Sequence, residues 1–99
     1  LLADSHLPLL GAFSRRDRRD ERFRDGDWRE SCDSLPCLDS APAVVSCEVD
    51  QCQDYGTHTL FIGRVTGVQL SQSCTDPLVW FDGAGASLAR HATQAAHVN

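Results

Sequence analysis

The sequence predicts a mainly β fold of the α+β class, with a helical segment ahead of about three antiparallel strands. Three observations carry this. Residues 1–30 space their leucines and charges as helices do, residues from Ala43 onward alternate apolar and polar side chains, and glycine and proline punctuate the later apolar runs. With 99 residues the chain is one domain at most. A chain near this length buries only about 60–65% of its unfolded surface, enough for one modest core.

Residues 1–30 form the helical segment. Leu1, Leu2, Leu7, Leu9, Leu10 and Phe13 are its apolar positions, and Asp4 or Ser5 caps a helix whose first turn tolerates Pro8. The run from Arg15 to Arg22 mixes five arginines with three acids, the signature of a solvated helix face. Phe23 and Trp28 anchor this segment on the sheet. Residues 31–42 are a connector rich in turn formers, and Pro36 and Pro42 place the start of the next strand near Ala43.

Residues 43–82 are the β segment. Val45, Cys47 and Val49 alternate with Ser46, Glu48 and Asp50, giving one wet face. Gln51 to Thr57 reads as a turn. His58 to Leu70 is a second strand, with Leu60, Ile62, Val68 and Leu70 on one parity and Phe61 and Val65 on the other. Apolar residues on both parities predict burial on both faces. Gly63 and Gly67 permit bends, and Pro77 to Phe81 is a third strand. Asp82 and Gly83 make a turn, and residues 83–99 are a tail with weak helical character. Three strands and a helix cannot close a barrel, so the pattern asks for strands outside the chain or on a second subunit.

Composition narrows the partners. Nine basic residues, all arginine, face fourteen acids for a net charge of −5, which leaves no positive field for nucleic acid. No apolar run approaches the ~20 residues that span a bilayer, so no membrane is expected. There is no Met and no charged start followed by an apolar stretch, so a fragment from inside a longer, cytoplasmic chain is expected. Cys32, Cys37, Cys47, Cys52 and Cys74 are an odd set for disulfides. The two Cys-x4-Cys spacings, with His58 nearby, raise a zinc-binding domain as an alternative. Zinc ribbons favour shorter spacings, so small buried thiols and no metal are the reading preferred.

Three segments together resemble a known family. They are Leu35-Pro36-Cys37-Leu38 running into the Cys47 strand, Asp54-Tyr55-Gly56-Thr57-His58-Thr59-Leu60-Phe61-Ile62-Gly63-Arg64-Val65, and Pro77-Leu78-Val79-Trp80-Phe81-Asp82-Gly83. Preceded by the leucine-rich segment and Arg22-Phe23, this order resembles the C-terminal half of the flavin reductase-like, FMN-binding split-barrel family. The resemblance implies a partial split β-barrel. It implies an NAD(P)H:flavin oxidoreductase that uses NADH or NADPH to reduce FMN or FAD. The reduced flavin would serve a partner monooxygenase, and a homodimer would hold the flavin near the subunit interface.

The same resemblance names site residues. The family's Gly-Asp-His motif, associated with nicotinamide binding, matches Gly56, Thr57 and His58, with Thr57 standing where the Asp would be. Arg22 and Phe23 match an Arg-Phe pair near the cofactor groove. Read from residue chemistry alone, Gly56 is a turn glycine, His58 a strand residue and Arg22 one charge in a solvated run. Relatives carry larger groups after Phe81 than Asp82-Gly83-Ala84-Gly85 offers, and the half that supplies most flavin contacts is absent from the sequence. The alternative implied is a truncated, catalytically incompetent dimerisation or binding module.

Overall fold

The computed structural model describes residues 1–31, 33–73 and 76–89. The helical segment is built of short pieces: a 3-10 turn over Asp4–Leu9, helix α1 over Leu10–Ser14, and a second 3-10 stretch over Arg16–Glu21. Pro8 lacks the donor a continuous helix needs, and Arg18 leaves helical geometry at φ −107°, ψ 18°. Ion pairs Arg15–Asp17 (2.8 Å) and Arg18–Glu21 (3.1 Å) lie at the surface, where each adds about 0–1 kcal/mol at most.

The helical character stops before residue 30, and the connector carries structure of its own. β1 (Trp28–Glu30) pairs antiparallel with β2 (Pro36–Leu38). Trp28 stands opposite Leu38, Arg29 opposite Cys37 and Glu30 opposite Pro36. Pro36 is tolerated because it is the first residue of its strand, where a missing donor costs the ladder little.

β3 (Ala43–Tyr55) and β4 (His58–Leu70) form one long antiparallel hairpin. β3 starts where expected but runs on through the residues read as a turn. Gln51 pairs with Ile62, Cys52 with Phe61, Gln53 with Leu60 and Asp54 with Thr59, so only Gly56 and Thr57 remain to turn the chain. Cross-strand pairing outweighs the weak β propensity of these polar residues.

Two irregularities interrupt the ladder. One lies between Ser46 and Cys47, where Thr66 is the extra residue on β4; the other lies between Val49 and Gln51, where Asp50 is the extra residue on β3. One shift undoes the other. Residues directly opposite share a face, so the pairing sorts Val45, Cys47, Val49, Cys52, Phe61, Val65, Val68 and Leu70 onto a single face. Ser46, Glu48, Gln51, Gln53, Arg64 and Gln69 lie on the other, where Arg64 and Glu48 pair at 2.6 Å. Strict alternation had put Phe61 and Val65 opposite Val68 and Leu70; the bulge at Thr66 brings the four together. The result is one long apolar face, with Leu60 and Ile62 on the second face near the turn.

That apolar face is left uncovered by the described residues. Val49 is 64%, Phe61 62% and Leu70 75% exposed. β5 (Val79–Phe81) pairs with β6 (Ala84–Ala86) across Asp82 and Gly83, both at positive φ (52° and 77°), the geometry of a tight type I′ turn. β6 replaces the weak helix expected just after that turn. Residues 90–99 lie outside the described residues.

The core sits where the helical segment meets β2 and the start of β3. Among the described residues it comprises Leu38, 4% exposed, with Ala3, Ala12, Cys37, Ala41 and Ala43. His6 is buried beside it. Its Nδ1 accepts the Ala3 N–H at 2.8 Å, which places the ring proton on Nε2, 2.7 Å from Ser40 Oγ. Ser40 in turn donates to Asp27 Oδ1 at 2.8 Å. Ala3 also bridges Pro77, and Asp4 N donates to Asp76 O at 2.8 Å, so the chain start is tied to the β5 segment.

Two outcomes follow. His6→Ala, which strands the Ala3 donor and the Ser40 hydroxyl, should lower stability by about 1–3 kcal/mol in denaturant titration; an unchanged midpoint would refute the role given to the network. The 99-residue chain alone should self-associate through the open face, and Phe61→Thr with Val68→Thr should shift it toward monomer in sedimentation. A monodisperse wild-type monomer at tens of micromolar would contradict this, the order of concentration at which exposed apolar strands associate.

Candidate functional site

The hairpin tip brings Asp54, Tyr55, Thr57, His58 and Thr59 together around Gly56. Gly56 has φ +59° while Thr57 stays at negative φ, the pattern of a type II′ turn with glycine first. A side chain at Gly56 would meet nothing within 4 Å. The turn's backbone therefore requires glycine here, and the space in front of it is open. Tyr55 and His58 are the last cross-strand pair and share a face. Thr57 Oγ1 lies 3.1 Å from His58 Nδ1 and props the ring from one side. On the other face Thr59 donates to Asp54 Oδ1 at 2.8 Å, locking the strands one pair below the turn.

The imidazole is exposed, and its Nε2 makes no hydrogen bond within the described residues. Such a group can donate to or accept from a carboxamide or hydroxyl, and its flat face is open to a planar ring. Thr57 supplies this support without the negative charge an Asp would set beside the ring.

Arg22 and Phe23 lie elsewhere. Arg22 Nε donates to Ala12 O at 2.9 Å and Nη2 to Phe13 O at 3.2 Å, and the guanidinium sits 5.7 Å from the Phe13 ring centroid. The side chain thus closes the end of α1, whose last carbonyls have no partner inside the helix. Phe23 meets Phe13 edge-on (5.5 Å, 88°) and Trp28 (4.9 Å, 79°). This aromatic group borders an apolar cleft of about 290 Å³ lined by Leu2, Leu9, Leu10, Phe13, Trp28 and Leu38. The hairpin tip is twelve residue steps beyond Ala43, roughly 40 Å of strand. No hydrogen bond, ion pair or ring contact joins Arg22-Phe23 to Gly56-Thr57-His58 among the described residues.

Three of the five cysteines, Cys37, Cys47 and Cys52, lie among the described residues. Among the described residues no three His, Cys, Asp or Glu side chains are placed to hold a metal. Cys37 is buried as expected of a small thiol, but Cys47 and Cys52 are exposed, because they lie on the face that none of the described residues covers. Cys32 and Cys74 lie outside the described residues. Two features escaped the sequence reading. The Asp27–Ser40–His6 chain joins residues far apart in sequence and leaves no local pattern. Tyr55 was detectable in principle, since a two-residue turn at Gly56-Thr57 forces it opposite His58.

Comparisons with known proteins agree with this architecture. A family model described as flavin reductase like domain matches residues 1–89. The reductase component of an FADH(2)-dependent resorcinol hydroxylase from a Rhizobium species is 35% identical over 80 residues, covering 81% of this chain and 44% of that protein. An FMN reductase (NADH) of Pseudomonas syringae is 32% identical over 80 residues, with the same two shares, 81% and 44%. Among solved structures, flavin reductase PheA2 superposes with a TM-score of 0.70 at 31% identity, covering 91% of this chain and 55% of that one. The styrene monooxygenase flavin reductase of Pseudomonas putida gives 0.75 at 27% identity, covering 92% and 57%. The chain spans about half the length of the relatives it matches. An open β fold with a helical start, a long hairpin and a family match over nearly its whole length place this chain in the flavin reductase-like, split-barrel family.

Proposed function

We propose that the protein is an NAD(P)H-dependent flavin reductase that supplies reduced FMN or FAD to a partner monooxygenase. The observation that carries this reading is the exposed Gly56-Thr57-His58 tip in a member of this family. Relatives named FMN reductase (NADH) support NADH with FMN as the first pair to test, ahead of NADPH and FAD. When bound, nicotinamide and flavin supply the hydride donor and acceptor; the protein's part is to hold the two rings in register.

The residues of the tip suit the nicotinamide end. His58 Nε2 would hold the carboxamide, Thr57 would fix the imidazole from Nδ1, and Gly56 would let a ring approach the backbone. The flavin end is less well provided for, since no glycine-rich phosphate loop occurs in this stretch. Arg22 would need to release Ala12 and Phe13 to reach a phosphate, with Phe23 beside it as a ring contact. The open apolar face supports a homodimer or a closed barrel as its cover. No helix among the described residues is long and apolar enough to cross a membrane; a cytoplasmic site of action is part of this proposal.

A second reading is a split-barrel half that binds without catalysing. It draws on the small share of flavin-holding chemistry found here. One assay separates the two: intact protein mixed with FMN and NADH, followed by loss of nicotinamide absorbance. Protein-dependent oxidation is expected, and its absence with every pairing of NADH or NADPH with FMN or FAD would overturn the reductase reading.

His58→Ala should raise the KM for the nicotinamide about tenfold, as loss of one hydrogen bond to a bound polar group does; an unchanged KM would remove His58 from the site. Arg22→Lys, which loses the two-pronged donor, should cost about 1 kcal/mol of stability in thermal unfolding. A raised KM with unaltered stability would instead assign Arg22 to the ligand.

A further inference from the structure

We infer that Tyr55 and His58 form a paired seat for the nicotinamide ring, with Tyr55 giving the ring its apolar platform and His58 taking the carboxamide. This rests on the reductase reading and adds a residue that the family motif does not contain.

The Tyr55 side chain is 83% exposed. Among the described residues its ring joins no aromatic pair and its hydroxyl makes no hydrogen bond. Yet the turn fixes its position. With only Gly56 and Thr57 between them, Tyr55 and His58 are obliged to stand directly opposite on one face, their Cβ atoms about 5 Å apart. Leu60 follows His58 on that face one step down, opposite Gln53. Further from the turn the same face carries Gln51, opposite Ile62, and then the Arg64–Glu48 pair.

The dimensions select the ligand. Two residue pairs cover a patch about 5 Å wide and about 7 Å long. That suits a single six-membered ring bearing one carboxamide; the three fused rings of a flavin would overhang it. The chemistry selects it too. A reduced nicotinamide is neutral and planar, so it gains from an aromatic face and needs one polar contact at its edge. His58 Nε2 offers that contact beside Tyr55, while Thr57 keeps Nδ1 occupied. No charge is demanded of the seat, which fits the replacement of an acidic residue by Thr57.

The test is a fluorescence titration of the intact protein with NADH, so that binding is read apart from turnover. Tyr55→Ala should weaken NADH about 3- to 10-fold, the range for loss of one aromatic contact. Tyr55→Phe should stay within about twofold of wild type, because the ring matters and the hydroxyl does not. FMN affinity should be unchanged in both. Should Tyr55→Ala fail to fold, Tyr55→Leu keeps the bulk, removes the ring and is expected to behave in its place. Unchanged NADH affinity in the alanine or leucine variant overturns the seat. So does a loss confined to FMN, or equal losses in the phenylalanine and alanine variants. A wild type that binds NADH in this Tyr55-dependent way but oxidises none refutes the reductase reading and leaves the seat standing. A wild type that binds no NADH refutes both.

Discussion

The apolar face of the β3–β4 hairpin governs the rest of this molecule. It exists as one face because Thr66 and Asp50 each add a residue, the first on β4 and the second on β3, and the shifts cancel. Without them, Phe61 and Val65 would turn away from Val68 and Leu70, and neither face would be apolar enough to pack. The bulge residues are themselves polar, so the extra positions add nothing to the face that must be dry. A two-stranded ribbon of this kind is marginal alone in water, since among the described residues no third strand joins it and its apolar side is uncovered.

A small body at the base of the hairpin contrasts with this. It is built mostly of alanines around Leu38, with no large side chain fully buried among the described residues. Polar interactions carry an unusual share of its order. His6, Ser40 and Asp27 tie the chain start, the segment after β2 and the approach to β1 into one hydrogen-bond chain that ends on the Asp27 carboxylate. Arg22 closes α1 by binding two carbonyls, a task that a helix of five residues cannot accomplish by itself. Phe23 then packs edge to face on Phe13 and Trp28, which meet each other at a tilt of 39°, beside the adjoining cleft. The Arg-Phe pair is therefore understood first as architecture.

The hairpin tip is the opposite case. Its residues contribute little to the body, and the turn type dictates their placement. A type II′ turn requires glycine at its first central position, and that single requirement sets Thr57 against the imidazole and Tyr55 across from it. Chemistry useful for a ligand is thus presented, exposed, at the end of a two-strand support.

The sequence by itself determined the class of fold, the start of β3 at Ala43, the wet face of Ser46 and Glu48, and the motif at Gly56 and His58. These follow from period-two alternation, proline placement and turn chemistry, all local properties. It did not determine which face Phe61 and Val65 occupy, that β3 runs on to Tyr55, or that residues 28–38 pair as strands. Nor did it expose the bond between His6 and Ser40, or the occupation of Arg22 by carbonyls. Those were decided by the tertiary structure, because a bulge and a side-chain network depend on which residue stands opposite which. That choice is made across space, by pairing and packing, and leaves no period in the chain to read.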